Sequence, residues 1–96
     1  MIKCFIVQNI DMNTPDGKFN ENKFYIAKIS SNGINMVSVL DMNQTWVPFK
    51  WRGMTQPEYF EKYFDIWDIF FVKDKKELNE YIPTTKFYKW YNKYLE

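Results

Sequence analysis

The dipeptide Asn32-Gly33, set between two β-rich runs, constrains this chain more than any other feature. A type I′ turn needs φ above zero at both central residues, which Asn tolerates and Gly adopts freely, and its twist matches that of paired strands. Upstream, Lys23 to Ser30 alternates, with Phe24, Ile26 and the aliphatic stem of Lys28 on one face and Tyr25, Ala27 and Ile29 on the other. Downstream, Ile34 to Leu40 is again β-rich. The pair predicts an antiparallel hairpin. Ile2 to Ile10 reads as a first strand, followed by turn formers from Asp11 to Gly17, with Pro15 presetting φ and Gly17 allowing it to be positive. Counted from Asp11, an EF-hand would need Gly sixth and Glu twelfth, but Asp16 and Asn22 stand there, so a connecting loop is expected. A further strand, Thr45 to Trp51, contains Pro48. Proline cannot donate to a ladder, which predicts a sheet edge.

The second half changes period. Thr55-Gln56-Pro57-Glu58 is a capping box, with Pro57 in the first turn. Beyond it Tyr59, Phe60, Tyr63, Phe64 and Trp67 fall on one side at helical spacing, and Glu58, Glu61, Asp65 and Asp68 recur on the other. Ile69-Phe70-Phe71-Val72 is short and apolar and fits either a continued helix or a short buried strand. The strand is favoured, because Asp74-Lys75-Lys76-Glu77 carries a second capping signal that opens a new helix to about Ile82. Pro83 ends that helix, and Thr84 or Thr85 caps a last one. There Phe87, Trp90, Tyr91, Tyr94 and Leu95 share a face, and Lys86, Lys89 and Lys93 form a separate stripe. The expected fold is α+β: a small antiparallel sheet of three to four strands in the N-terminal half, packed by two to three C-terminal helices. With 96 residues and no repeat or linker, residues 1–96 read as a single compact domain.

Composition excludes several chemistries. The chain has no histidine, which removes the usual general base near neutral pH, the Ser-His and Cys-His nucleophile pairs and the commonest metal ligand. Its one cysteine, Cys4, can form neither an intrachain disulfide nor a thiolate zinc cluster, and within Met1 to Val7 it reads as a small buried hydrophobe. Ser30, Ser31 and Ser38 lack any activating histidine. No phosphate-cradling glycine loop exists among three glycines. The expectation is a non-enzyme with no metal and no cofactor. The longest uncharged stretch, Ile29 to Leu40, is twelve residues with polar members, short of the ~18 a membrane span needs. No secretory apolar region follows Lys3, so Asn43-Gln44-Thr45 reads as a chance glycosylation match, and the chain reads as cytoplasmic.

Two biases point to surfaces. Phe, Tyr, Met, Ile, Asn and Lys supply 51 of 96 residues, a codon signature of a low-GC genome. Twenty aromatics make up 21% of the chain, more than a small core easily hides, and aromatics are favoured where binding occurs. Trp46, Trp51 and Arg52, around the proline-bearing strand, are candidate partner contacts. In the alternative, Val47, Phe49 and Trp51 face the core and Arg52 stacks on a ring. Glu58, Glu61, Asp65 and Asp68 would add an acidic stripe that mimics spaced phosphates, or else form the solvated face of a helix. A net charge of +1 argues against a dedicated duplex-DNA binder. A local single-strand nucleic-acid site on Lys86, Tyr88, Lys89 and Lys93 is the second reading. The leading expectation is a non-catalytic protein-binding module. A phage or mobile-element inhibitor of a host defence or nucleic-acid enzyme fits this composition, and a homodimer interface would use the same aromatic excess.

Overall fold

In the computed structural model, which describes residues 1–29, 37–50 and 52–81 (Asn79 and Tyr81 by backbone only), the sheet is built around its first strand. β1 (Ile2–Asn9) lies between β2 (Phe24–Ile29) and β5 (Phe64–Val72). With β3 (Val37–Leu40) and β4 (Trp46–Pro48) they form one five-stranded antiparallel sheet in the order β4-β3-β2-β1-β5. Two helices complete the described chain, α1 (Gln56–Tyr63) and α2 (Lys75–Tyr81).

β1 shows why its sequence is a continuous apolar run. Cys4, Phe5, Ile6 and Val7 are all buried, because both faces of the sheet are covered at this strand. Phe5 and Val7 join Ala27, Val39 and Phe49 beneath Tyr59, Phe60 and Tyr63 of α1, with Phe64 just beyond it. Cys4 and Ile6 join Ile26, Leu40, Val72 and Leu78 of α2 on the opposite face. The alternation expected in β2 holds. Ile26 faces the α2 side opposite Ile6, and Ala27 faces the α1 side opposite Phe5. β3 pairs with β2 through Ala27↔Val39 and Ile29↔Val37, while the Asn32-Gly33 turn lies outside the described residues. β4 sits at one sheet edge, as Pro48 requires.

The α1 side is an aromatic core. Phe49 stacks on Phe64 (5.4 Å between centroids), Phe64 on Phe60 (5.5 Å), and Phe19 meets Phe64 edge-on (5.1 Å). Phe19 comes from the loop over residues 10–23, which crosses this face. Gly17 at its turn has φ +75°, and a Cβ there would lie 2.8 Å from Val47 of β4. Two buried polar side chains pin the connections. Asn9 accepts from Thr14 Oγ1 (2.7 Å) and donates to the Asp11 carbonyl (3.3 Å). Asp41 accepts from the N–H groups of Lys18, Asn43 and Thr45 at 2.9–3.2 Å.

Three expectations change. The helix opened by the Thr55–Glu58 capping box, which is present, stops at Tyr63 instead of running through Trp67. Phe64 at its C-terminus is already extended, and residues 64–72 form β5. The sheet therefore has five strands, one of them C-terminal, where three to four in the N-terminal half were expected. The cause is non-local. Without β5, β1 would leave one row of backbone donors and acceptors unpaired beside a hydrophobic core, and β5 pairs with it from Ile2↔Val72 to Asn9↔Phe64. β-Branched and aromatic residues from Phe64 to Val72 suit that pairing as well as they suit a helical turn. The second capping signal is observed. Glu77 N–H donates to Asp74 Oδ1 (2.8 Å) and Lys73 N–H to Glu77 Oε2, starting α2.

Candidate protein-docking edge

β5 is the other edge of the sheet. Among the described residues its only strand neighbour is β1. Register with β1 assigns the faces. Phe64, Ile66, Ile69 and Phe71 lie opposite Asn9, Val7, Phe5 and Lys3, on the α1 side. Asp65, Asp68, Phe70 and Val72 lie opposite Gln8, Ile6, Cys4 and Ile2, on the α2 side. The pairing shifts between Ile6 and Val7, where Trp67 is the extra residue of a bulge. Trp67 leans to the α2 side, its Nε1–H donating to Gln8 Oε1 (3.1 Å) and its ring meeting Phe24 edge-on at 5.1 Å.

Only the ends of β5 are buried. α1 closes over Phe64, and the cluster beneath α2 takes in Val72. Between them Ile66 is 52% exposed, Trp67 58%, Ile69 47% and Phe71 56%. Ile66, Ile69 and Phe71 share one face, so their exposed surfaces form a continuous strip along an edge strand. Such a strip normally marks an interface. Within the strand the charges are acidic, Asp65 and Asp68 in its first half, and the segment just past its end is mixed, Lys73, Lys75 and Lys76 alternating with Asp74 and Glu77. The Ile69 N–H donates to Asp68 Oδ1 at 2.7 Å, so a carboxylate blunts the edge at its centre.

Among the described residues, those singled out in the sequence do not gather into one site. Glu58 and Glu61 are exposed on α1, where Glu58 closes the capping box with Thr55. Asp65 and Asp68 are on β5, so the four carboxylates do not form a helical stripe of phosphate-like spacing. Trp46 is half-buried at the β4 edge, with the Lys28 ammonium 4.1 Å above its ring. Burial, with Lys75 nearby, holds the Lys28 amine below its ordinary range. Trp51 and the stripe of Lys86, Tyr88, Lys89 and Lys93 lie outside the described residues.

Among the described residues Arg52 stacks on no ring. It donates to the Tyr59 hydroxyl (3.3 Å) and pairs with Asp16 Oδ1 (3.3 Å), while Tyr59 O–H donates to Asp16 Oδ2. Burial opposes ionisation of Asp16, yet bonds from Tyr59, the Lys50 N–H and Arg52 hold its carboxyl below the usual range. Burial and the bond to Asp16 push the Tyr59 phenol up to about 12. These three side chains satisfy one another and act as a clamp between the 10–23 loop and α1. A neutral phenol held by a carboxylate is no activated base. Burial likewise pushes the Cys4 thiol up to about 11, which leaves it unreactive. Among the described residues no group of three or more His, Cys, Asp or Glu could hold a metal ion, and no helix is long and apolar enough to cross a membrane.

In the sequence Ile69 and Phe71 are legible as part of a short apolar strand but not as an exposed face, and Ile66 is not legible at all, because the bulge at Trp67 breaks period two. The readable trace was Asp65 and Asp68 interleaved with strand-forming residues, as on an exposed strand. No protein-family model, curated protein or solved structure matches the chain.

Proposed function

We propose that this protein is a non-catalytic protein-binding module that docks its partner along the outer edge of β5. The observation that carries the reading is the nine-residue edge strand with four large apolar side chains about half exposed or more. A docked strand would take up the outward backbone groups of β5, and Ile66, Ile69 and Phe71 would supply apolar contact beside it. Asp65, Asp68 and the bulge restrict which strands fit, since charges and bulges on an edge disfavour indiscriminate pairing. The clamped Asp16, Tyr59 and Arg52 and the buried Cys4 supply no nucleophile or base for a catalytic alternative.

The test is site-specific photo-crosslinking in cells, with a photoreactive phenylalanine analogue in place of Phe71 or of Glu61. A discrete adduct is expected from position 71 and none from position 61 on α1. An adduct from position 61 alone would refute docking at β5.

A further inference from the structure

We propose that the partner strand at the β5 edge is β5 of a second copy of this chain, paired antiparallel about a two-fold axis at Ile69. This rests on the reading of β5 as a docking edge and adds its occupant. The strip is complementary to its own reverse. With Ile69 facing Ile69 across the axis and both bulges kept, Asp68 falls opposite Phe70 of the second copy and Ile66 falls opposite Phe71. On the α1 side the contacts are then Ile66 to Phe71, Ile69 to Ile69 and Phe71 to Ile66, all between side chains exposed in one chain. A two-fold interface must be self-complementary in this way, and it is the commonest form of protein self-assembly.

Charge points to the same occupant. In an antiparallel arrangement the acidic half of one β5 lies along the end of the other, bringing Asp65 of each copy beside Lys73, the first residue past that end and ahead of Asp74. Within one chain these two residues are roughly 26 Å apart, eight residues along an extended strand, and cannot pair. The Ile69 N–H, now held by Asp68 Oδ1, would instead meet the facing Ile69 carbonyl. That exchanges one hydrogen bond for another, while the two Asp68 carboxylates, diagonal across the axis, weaken the dimer without preventing it.

Sedimentation velocity over a concentration series, on the full chain, tests this. Wild type is expected to move from one to two copies with rising concentration. Ile69→Lys places two ammonium groups on the axis at an already exposed position. It should weaken association about tenfold or more with an unchanged melting temperature. Asp65→Lys and Lys73→Asp should each weaken it, and an equimolar mixture of the two single variants should regain it, because each supplies the charge the other needs. Asp68→Asn should tighten it about two- to fivefold. A wild type that stays monomeric, a dimer indifferent to Ile69→Lys, or single variants that do not complement each other would overturn the proposal. A crosslink from position 71 to a different protein, with wild type monomeric, would overturn the second copy and leave docking at β5 standing. The absence of any adduct from position 71 would remove both.

Discussion

The two edges of this sheet meet the same hazard in opposite ways. A terminal strand presents unpaired backbone groups to any passing chain. β4 answers by being short, at three residues, and by carrying Pro48. The 10–23 loop closes on it, with Gly17 against Val47, and Asp16 accepts from the N–H of Lys50 and from Arg52 just after β4. β5 is nine residues long and contains no proline, and its middle is large, apolar and exposed. Among the described residues its protection is lighter, a bulge and two aspartates. An edge that is capped by its own chain has no remaining use as an interface, whereas one that is only screened can admit a selected strand.

The contrast is sharpest within β5 itself. Phe64→Ala should cost about 3–5 kcal/mol, because the ring is buried between Phe49, Phe60 and Phe19. Phe71→Ala, seven residues on in the same strand, should stay within about 0.5 kcal/mol. Urea titrations of both variants measure the difference. Equal costs would mean that the middle of β5 belongs to the core, not to an interface.

Loosening the clamped side of the sheet should cost less. Tyr59→Phe keeps the buried ring and loses its bond to Asp16, for about 1 kcal/mol at pH 7. The pH dependence has a definite sign. Asp16 titrates below its ordinary 3.8 in the folded chain, so its stabilisation is complete above that value and is lost as pH falls through the folded one. Acid titrations of Tyr59→Phe and wild type should therefore converge once pH has fallen below the folded-state value of Asp16, where the carboxylate is neutral in both. A gap that persists there would show that the hydroxyl stabilises by another route.

The smallest effect is expected at the blunted edge. Pro48→Thr restores an N–H to β4 and should change stability by no more than about 0.5 kcal/mol, with no new self-association in light scattering, because three residues offer too short a template. Association after this change would mean that proline, more than shortness, protects β4.

Much of the framework was legible before folding. The alternation of Phe24 to Ile29, the edge position implied by Pro48 and the capping signals at Thr55 and Asp74 are local patterns, and local patterns survive into the structure. The candidate docking edge was not legible, because its members are defined by what fails to cover them. Trp67, in helical register with Tyr63 and Phe64, looked like a core residue until the chain turned extended at Phe64.

The sequence by itself determined the elements whose signals lie within a few residues of one another: β2, the starts of both helices, and the apolar run of β1 that needs cover on both faces. Only the tertiary structure decided where α1 stops, because the unpaired side of β1 captures residues 64–72, some sixty positions away, and backbone pairing outweighs one more helical turn. It also decided the clamp between Asp16 and Tyr59, 43 residues apart, and the exposure of Ile66, Ile69 and Phe71. Each depends on which segments meet in space, and short-range periodicity carries no record of that.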